Sequence, residues 1–382
     1  MENNNSVAYI SKIDKIEPIA GADNIELASV KGWNSIVQKG IHKVNDLVLC
    51  ITTDAVIPED LATEWGVIRY LRKGNRVRTV KLKSVYSECI LISLDKIRPK
   101  SYDGLVNPEM NMMEILNIYK YEPPEIVIQD NKGRKHRYHQ NPNFHIYYKF
   151  PNFKNVPDIF EQSELVAIST KIHGTNARYG IVRKNYKYNL FDKIINSIRK
   201  LFGDKWVDYE YVYGSHNVEK GSDSQGFYST DVWKEIADKY DIKKKLWNHV
   251  KRNYSPTFIG NGFTIYGEIY GPGIQGEKYN YGLKQKEIIF FDIERNENYE
   301  SIYVFEECMK DLNLPYIKND MEYWNYDFVF EKFVRNKFIE NTSIPHEGIV
   351  VKCPYGDKTK RAKIINPDYL IYGEKYNVPD SH

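Results

Sequence analysis

The stretch Lys171-Ile172-His173-Gly174-Thr175-Asn176 follows an apolar run, Leu165 to Ile168, that reads as a β-strand. A lysine at the end of such a strand, followed by a turn glycine, is placed to attack a phosphorus atom rather than to sit solvated. That implies an enzyme that carries a nucleotide on its own lysine. Lysine followed by a turn glycine is common by chance, so the weight falls on what comes after it in order. Tyr266-Gly267-Glu268-Ile269-Tyr270-Gly271 is followed by Phe290-Phe291-Asp292, then by Glu347-Gly348-Ile349-Val350-Val351-Lys352, then by Lys363-Ile364-Ile365-Asn366.

In order and residue type this series resembles motifs I, III, IIIa, IV and V of the covalent nucleotidyltransferases, which include ATP-dependent DNA ligases, RNA ligases and mRNA capping enzymes. The spelling KIHGTN, with His173 where DNA ligases and capping enzymes usually carry aspartate, is similar to the nick-sealing RNA ligases of phage and RNA-editing type. The resemblance covers roughly half the chain. It implies an ATP-dependent RNA ligase that forms lysyl-AMP, transfers AMP to a 5′-phosphate and joins that end to a 3′-hydroxyl. The expected substrate is a nicked duplex RNA or an RNA–DNA hybrid, with ATP and Mg²⁺ or Mn²⁺ required and the protein acting as a monomer.

The chemistry assigns roles to the motif residues. A free lysine has a pKa near ~10.4, so Lys171 must lose a proton before it attacks the α-phosphorus. Lys352, Lys363 and a bound cation are the expected sources of positive charge that would lower that value and stabilise the phosphoryl oxygens. Glu347 is expected to be a metal-side carboxylate. Glu268 is expected to bind ribose hydroxyls, Phe291 to stack on adenine, and Asp292 to bind a metal or orient a lysine. The resemblance further implies that His173 helps pass AMP to the RNA end and that Asn176 contacts a phosphate. Side chains alternate along a strand, so Glu347 and Lys352 can face one site only if a bulge or strand end lies near one of them.

Three positions depart from the family pattern. Ser215-His216-Asn217 stands where the RNA ligases commonly show Ser-Arg-Asn, and a neutral histidine clamps phosphate less well than arginine. These three residues are the expected RNA contacts, together with Arg361, which shares a strand face with Lys363 and stands in for a missing second lysine. Thr170 precedes the nucleophile where phage-type enzymes often have glutamate. A DNA ligase or capping guanylyltransferase is a rival reading, disfavoured because little chain follows Lys363 to form the OB domain those enzymes place there. A non-catalytic nucleic-acid-binding protein with the ligase fold is the rival from another class.

Around this series the fold class expected is α+β. Short β-rich runs at Val7–Ile10, Ile25–Val30, Ser35–Gln38, Leu47–Thr52, Arg76–Leu82 and Cys89–Ser93 suggest an OB-like barrel over residues 1–99. The stretch from Ile16 to Trp33 resembles the OB-like module that precedes the catalytic domain in one RNA ligase subfamily. The cations Arg72, Lys73, Arg76, Arg78, Lys81 and Lys83 are its candidate triphosphate surface. A connecting region, 100–154, carries the basic cluster Lys132, Arg134, Lys135, His136, Arg137 and His139. The nucleotidyltransferase domain, of antiparallel sheets with flanking helices, is expected over 155–382. Apolar spacing predicts helices over Phe191–Phe202, after Asp231, and over Asp327–Phe338, with their stripes as packing surfaces.

Bulk composition agrees. The chain has 382 residues, 42% hydrophobic, with a formal charge of +3, so a polyanion must meet a local basic surface. Four scattered cysteines form no C-x-x-C, which argues against a disulfide framework or zinc site and for a reducing interior. His136, His139 and His145 lack the partners a metal site needs. No apolar run is long enough to span a membrane, so a soluble protein of the cytoplasm or nucleus is expected.

Overall fold

The computed structural model describes residues 6–97, 106–121, 141–185, 190–220, 231–276, 279–376 and 378. Turn 130–133 and the basic cluster from Lys132 to His139 lie outside them. The chain divides into two compact units. The first comprises Met1–Pro124, Pro151–Phe160 and Ile364–Lys375; the second comprises Glu125–Phe150, Glu161–Lys363 and Tyr376–His382.

In the first unit, strand Leu47–Thr52 pairs antiparallel with Ala8–Lys12 on one side and Cys89–Ser93 on the other. One face of this sheet packs on Ala28, Val30, Trp33 and Val37 of the antiparallel meander Lys15–Pro18, Ile25–Val30 and Trp33–Gln38. The other face packs on Ala62, Trp65, Met112, Leu116 and Ile118. A strand covered on both faces reads as a continuous apolar run, as Leu47-Val48-Leu49-Cys50-Ile51 does. The expected strand at Arg76–Leu82 is shorter, Val80–Leu82, because the Val77 amide donates to the Ala55 carbonyl instead. The candidate triphosphate surface is engaged inside this unit. Arg76 pairs with Asp54, Arg78 with Glu374 and Lys81 with Asp368, and Lys83 Nζ donates to the Gly21 carbonyl.

The second unit is built on two antiparallel sheets. The larger runs in the order Glu219–Lys220, Tyr209–Gly214, Thr175–Arg183, Gly262–Tyr270, Glu287–Arg295, Asn298–Tyr299. Helices Val232–Lys239, Ile242–Asn253 and Ile302–Leu312 bury its Ala177, Tyr179, Ile181, Ile265 and Phe290 face. The opposite face carries Asn176, Arg178, Tyr266, Glu268 and Asp292, and segment 141–150 packs there through Phe144, His145 and Tyr147. The smaller sheet runs Asp320–Tyr323, Leu165–Lys171, Gly348–Lys352, Arg361–Ile365.

Asp231 caps helix Val232–Lys239 as expected, its carboxylate accepting from the Lys234 amide at 3.0 Å. The helix expected over Asp327–Phe338 runs Tyr326–Phe333, capped by Asn325, and so ends before Phe338 is reached. The Leu190–Leu201 helix forms where apolar spacing placed it, but its stripe is no packing surface: Ile194, Ile198, Leu201 and the adjoining Phe202 are exposed. Among the described residues, no helix is long and apolar enough to cross a membrane.

Candidate active site

Lys171 is the last residue of its strand in the smaller sheet, and Thr175 is the first of its strand in the larger. Ile172-His173-Gly174 is therefore the crossover between the two sheets, which brings one sheet's end residue against the other's polar face. Gly174 is required there. A Cβ at this position would lie 2.2 Å from the Ile269 carbonyl oxygen and 2.9 Å from Glu268 Cγ.

The Lys171 Nζ lies 2.6 Å from Glu347 Oε1; the lysine side chain is 18% exposed and the glutamate fully buried. The alternation problem posed by Glu347 is resolved by a strand end. Lys171 pairs with Gly348, whose φ of 146° starts the strand, so Glu347 stands outside the pleat and turns back to the lysine. Glu268 is close enough to both for its proton affinity to feel them. Burial pushes its pKa up to about 8, with Glu347 adding to the rise and Lys171 opposing it. Asn176 sits directly opposite Glu268 on the neighbouring strand, and its buried Oδ1 has no partner among the described residues. His173 is buried, edge-on to Tyr279 at 4.7 Å, and its backbone amide donates to the Tyr281 hydroxyl at 2.6 Å.

The cations are arranged differently from expectation. Lys352 pairs in register with Ala167, four residues back along the strand from Lys171. It is buried, donating to the Phe291 carbonyl at 3.0 Å and lying 3.4 Å from Asp292. Burial lowers its pKa while Asp292 pulls the other way. Arg361 is 1% exposed, 2.5 Å from Asp292 and 4.3 Å above the Tyr299 ring. It is thus no surface for RNA. Asp292, which also accepts from the Tyr147 hydroxyl at 2.9 Å, is held below the ordinary carboxylate range by Lys352 and Arg361 against the opposing effect of burial. Two cations and a phenol thus surround this carboxylate. Lys363 is half-buried, two residues beyond Arg361 on the same strand.

A bulge sets the aromatic pair. Tyr266 pairs with Asp292 but Gly267 with Phe290, leaving Phe291 as the extra residue. Phe290 enters the core, while Phe291 stays half-buried, edge-on to Tyr147 at 4.9 Å.

Ser215-His216-Asn217 forms the turn after strand Tyr209–Gly214, with Asn217 exposed and the Ser215 Oγ accepting from the Val218 amide. Burial, with Lys149 and Arg178 nearby, lowers the His216 pKa to about 4, so its imidazole is neutral at pH 7. Sequence reading passed over Arg178. Fully buried over the Phe144 ring at 4.1 Å, it donates from Nε to the Ser215 carbonyl at 2.7 Å and to the Phe144 carbonyl. The signal was its place two residues beyond Asn176, on the same strand face. His145 pairs with Glu294, which raises its pKa. Among the described residues, no group of three or more His, Cys, Asp or Glu could hold a metal by itself.

A family model described as RNA ligase matches residues 164–365, and one described as an OB-fold domain matches residues 7–94. No curated protein sequence matches the chain. Solved structures do, among them a lysine-to-alanine mutant of the Naegleria gruberi RNA ligase with ATP and Mn. That structure aligns at 21% identity with a TM-score of 0.68, over 96% of this chain and 99% of its own. The same ligase with PPi aligns at 21% identity and a TM-score of 0.67, over 97% and 99%. Its lysine-to-methionine mutant with AMP and Mn aligns at 21% and 0.68, over 96% and 99%. At this identity the likeness is one of fold.

Proposed function

The chain belongs to the RNA ligase family, and from that premise we propose that it seals RNA nicks with ATP through a lysyl-AMP intermediate on Lys171. The observation that carries this reading is the placement of Lys171 at the sheet crossover, shielded from bulk water and facing Glu347 and Glu268.

Lys171 Nζ, relieved of its proton, forms a bond to the α-phosphorus of ATP as the bond to pyrophosphate breaks. The adenylate then passes to an oxygen of the RNA 5′-phosphate, the lysine–phosphorus bond breaks, and a 5′-5′ pyrophosphate results. A 3′-hydroxyl finally attacks the 5′-phosphorus, loses its proton and releases AMP. Glu268 binds the ribose hydroxyls, Phe291 stacks on adenine, and Asn176 and Lys363 contact phosphate. His173 assists adenylate transfer, and Lys352 acts from behind, held by Asp292. Glu347, with Glu268 near it, would hold a divalent cation, since carboxylate oxygens in a shielded place are the ligands Mg²⁺ takes. When bound, Mg²⁺ or Mn²⁺ supplies charge neutralisation on the phosphates. Ser215 and Asn217 contact the RNA, with His216 as a neutral hydrogen-bonding group. The four thiols are free, which accords with a reducing compartment.

The test compares sealing of nicked duplex RNA, nicked duplex DNA and the two mixed nicks, each with 3′-hydroxyl and 5′-phosphate ends. Preferential joining of RNA 3′-hydroxyl nicks is expected. Joining of DNA nicks alone would overturn the assignment.

A further inference from the structure

Away from the adenylation cleft, a cavity of about 510 Å³ opens between the residues entering strand Tyr209–Gly214 and the helix Ile242–Asn253. The helix buries Ile242, Leu246, His249 and Val250, which leaves Lys243, Trp247 and Lys251 in a row at four-residue spacing, with Lys244 and Asn248 beside them, lining the cavity. Across it stand Trp206 and Arg199. The two indoles meet edge to face at 6.3 Å and 83°, and the Lys251 ammonium lies 5.1 Å from the Trp247 ring. Arg199 is paired with Asp204 at 2.8 Å and Lys244 is 3.9 Å from Asp241, but Lys243 and Lys251 have no carboxylate partner among the described residues.

Half-buried indoles flanked by ammonium groups are the two elements that hold a nucleic-acid strand: a face for a base and charge for its phosphates. Strand Thr175–Arg183 runs from the cleft to this place, since Asn176 lies at one end and Lys184, a cavity residue, just past the other; the cavity helix packs on the sheet face away from Asn176, so a bound strand passes the far end of the sheet to reach it. Eight residues of antiparallel strand span about 27 Å, and a duplex strand, which advances about 3.4 Å along its axis per nucleotide, covers that distance in about eight nucleotides.

We propose that this cavity is a distal subsite for one strand of the RNA substrate, gripped about eight nucleotides from the joined end. Trp247 packs its ring against a ribose of that strand, or on a base where the strand is unpaired, and Lys243, Lys244 and Lys251 neutralise the adjoining phosphates. This rests on the proposed RNA ligase reading and extends it to substrate length: short ends react without the subsite and longer ones use it.

The test uses a triple variant, Lys243→Glu/Lys244→Glu/Lys251→Glu, whose lysines are exposed, and separately Trp247→Leu, both checked by thermal melting against wild type. Three readouts are needed: label transfer from α-labelled ATP to the protein, KM and kcat for nicks with short or long flanks, and anisotropy of fluorescent RNA. With flanks of about 4 nucleotides no change is expected; with about 16, KM should rise tenfold or more at constant kcat, and the salt slope of binding should fall by roughly 0.9 for each phosphate that is no longer neutralised. Unchanged KM and anisotropy on long flanks, in a folded triple variant that still takes label, would overturn the subsite. So would an affinity for a single nucleotide equal to that for the long strand. Loss of label in wild type would instead strike the ligase reading, and the anisotropy comparison would still decide the subsite.

Discussion

At Gly174, adding one methyl group would drive it into the Ile269 carbonyl. Gly174→Ala is expected to cost about 1–3 kcal/mol as the crossover shifts, and to slow lysine adenylation with it. Denaturant titration and ATP labelling check the two effects together. Glu268 gives a pH signature. Its pKa is raised from 4.5 to about 8, so between those values the folded chain holds a proton that the unfolded chain releases. Stability from this group is complete below the lower value and is lost as pH rises through about 8. Glu268→Gln should flatten that decline in denaturant midpoints; a curve parallel to wild type would contradict the raised proton affinity of Glu268. Lys171, Glu268 and Glu347 were legible in the sequence because motif order identifies them. The cation positions were not, since only the pairing of Lys171 with Gly348 shows that Lys352 falls four residues away.

Asp292 joins elements. It lies on strand Glu287–Arg295 of the larger sheet, and its partners Lys352 and Arg361 come from two strands of the smaller one. Asp292→Ala would strand two buried cations and is expected to destabilise by about 3–5 kcal/mol. A loss below about 1 kcal/mol in chemical denaturation would show that the two sheets do not depend on this carboxylate. The barrel strands Ile25–Val30, Leu47–Thr52 and Cys89–Ser93 were readable to the residue, because burial dictates their apolar pattern. Helix Ile242–Asn253 was hidden by its lysines, which break the apolar count although Ile242, Leu246 and Val250 keep helical spacing. The exposed stripe of Leu190–Leu201 shows the converse: amphipathic spacing predicts a helix without telling whether anything covers it.

On the scale of the whole molecule, the two units are not contiguous in sequence. Helix Pro367–Tyr376 follows the last strand of the ligase sheets, yet Ile364–Lys375 belongs with the N-terminal barrel, tied by Arg78–Glu374 and Lys81–Asp368. Partners 296 and 287 residues apart leave no local trace in sequence, which is why Arg78 and Lys81 read as part of a phosphate surface. Arg78→Glu is expected to speed amide exchange in the helix, cost about 1 kcal/mol or less, and leave adenylation intact. Slowed adenylation with unchanged exchange would return Arg78 to a role in phosphate binding. Everything proposed for catalysis depends on a covalent bond between one amine and AMP. Intact-mass spectrometry of the protein after incubation with ATP and Mg²⁺, followed by peptide mapping, tests it directly. A single adenylate on the Lys171 peptide, absent from Lys171→Ala, is the result expected; an unmodified wild-type mass, or an adenylate mapped to any other lysine, would contradict it.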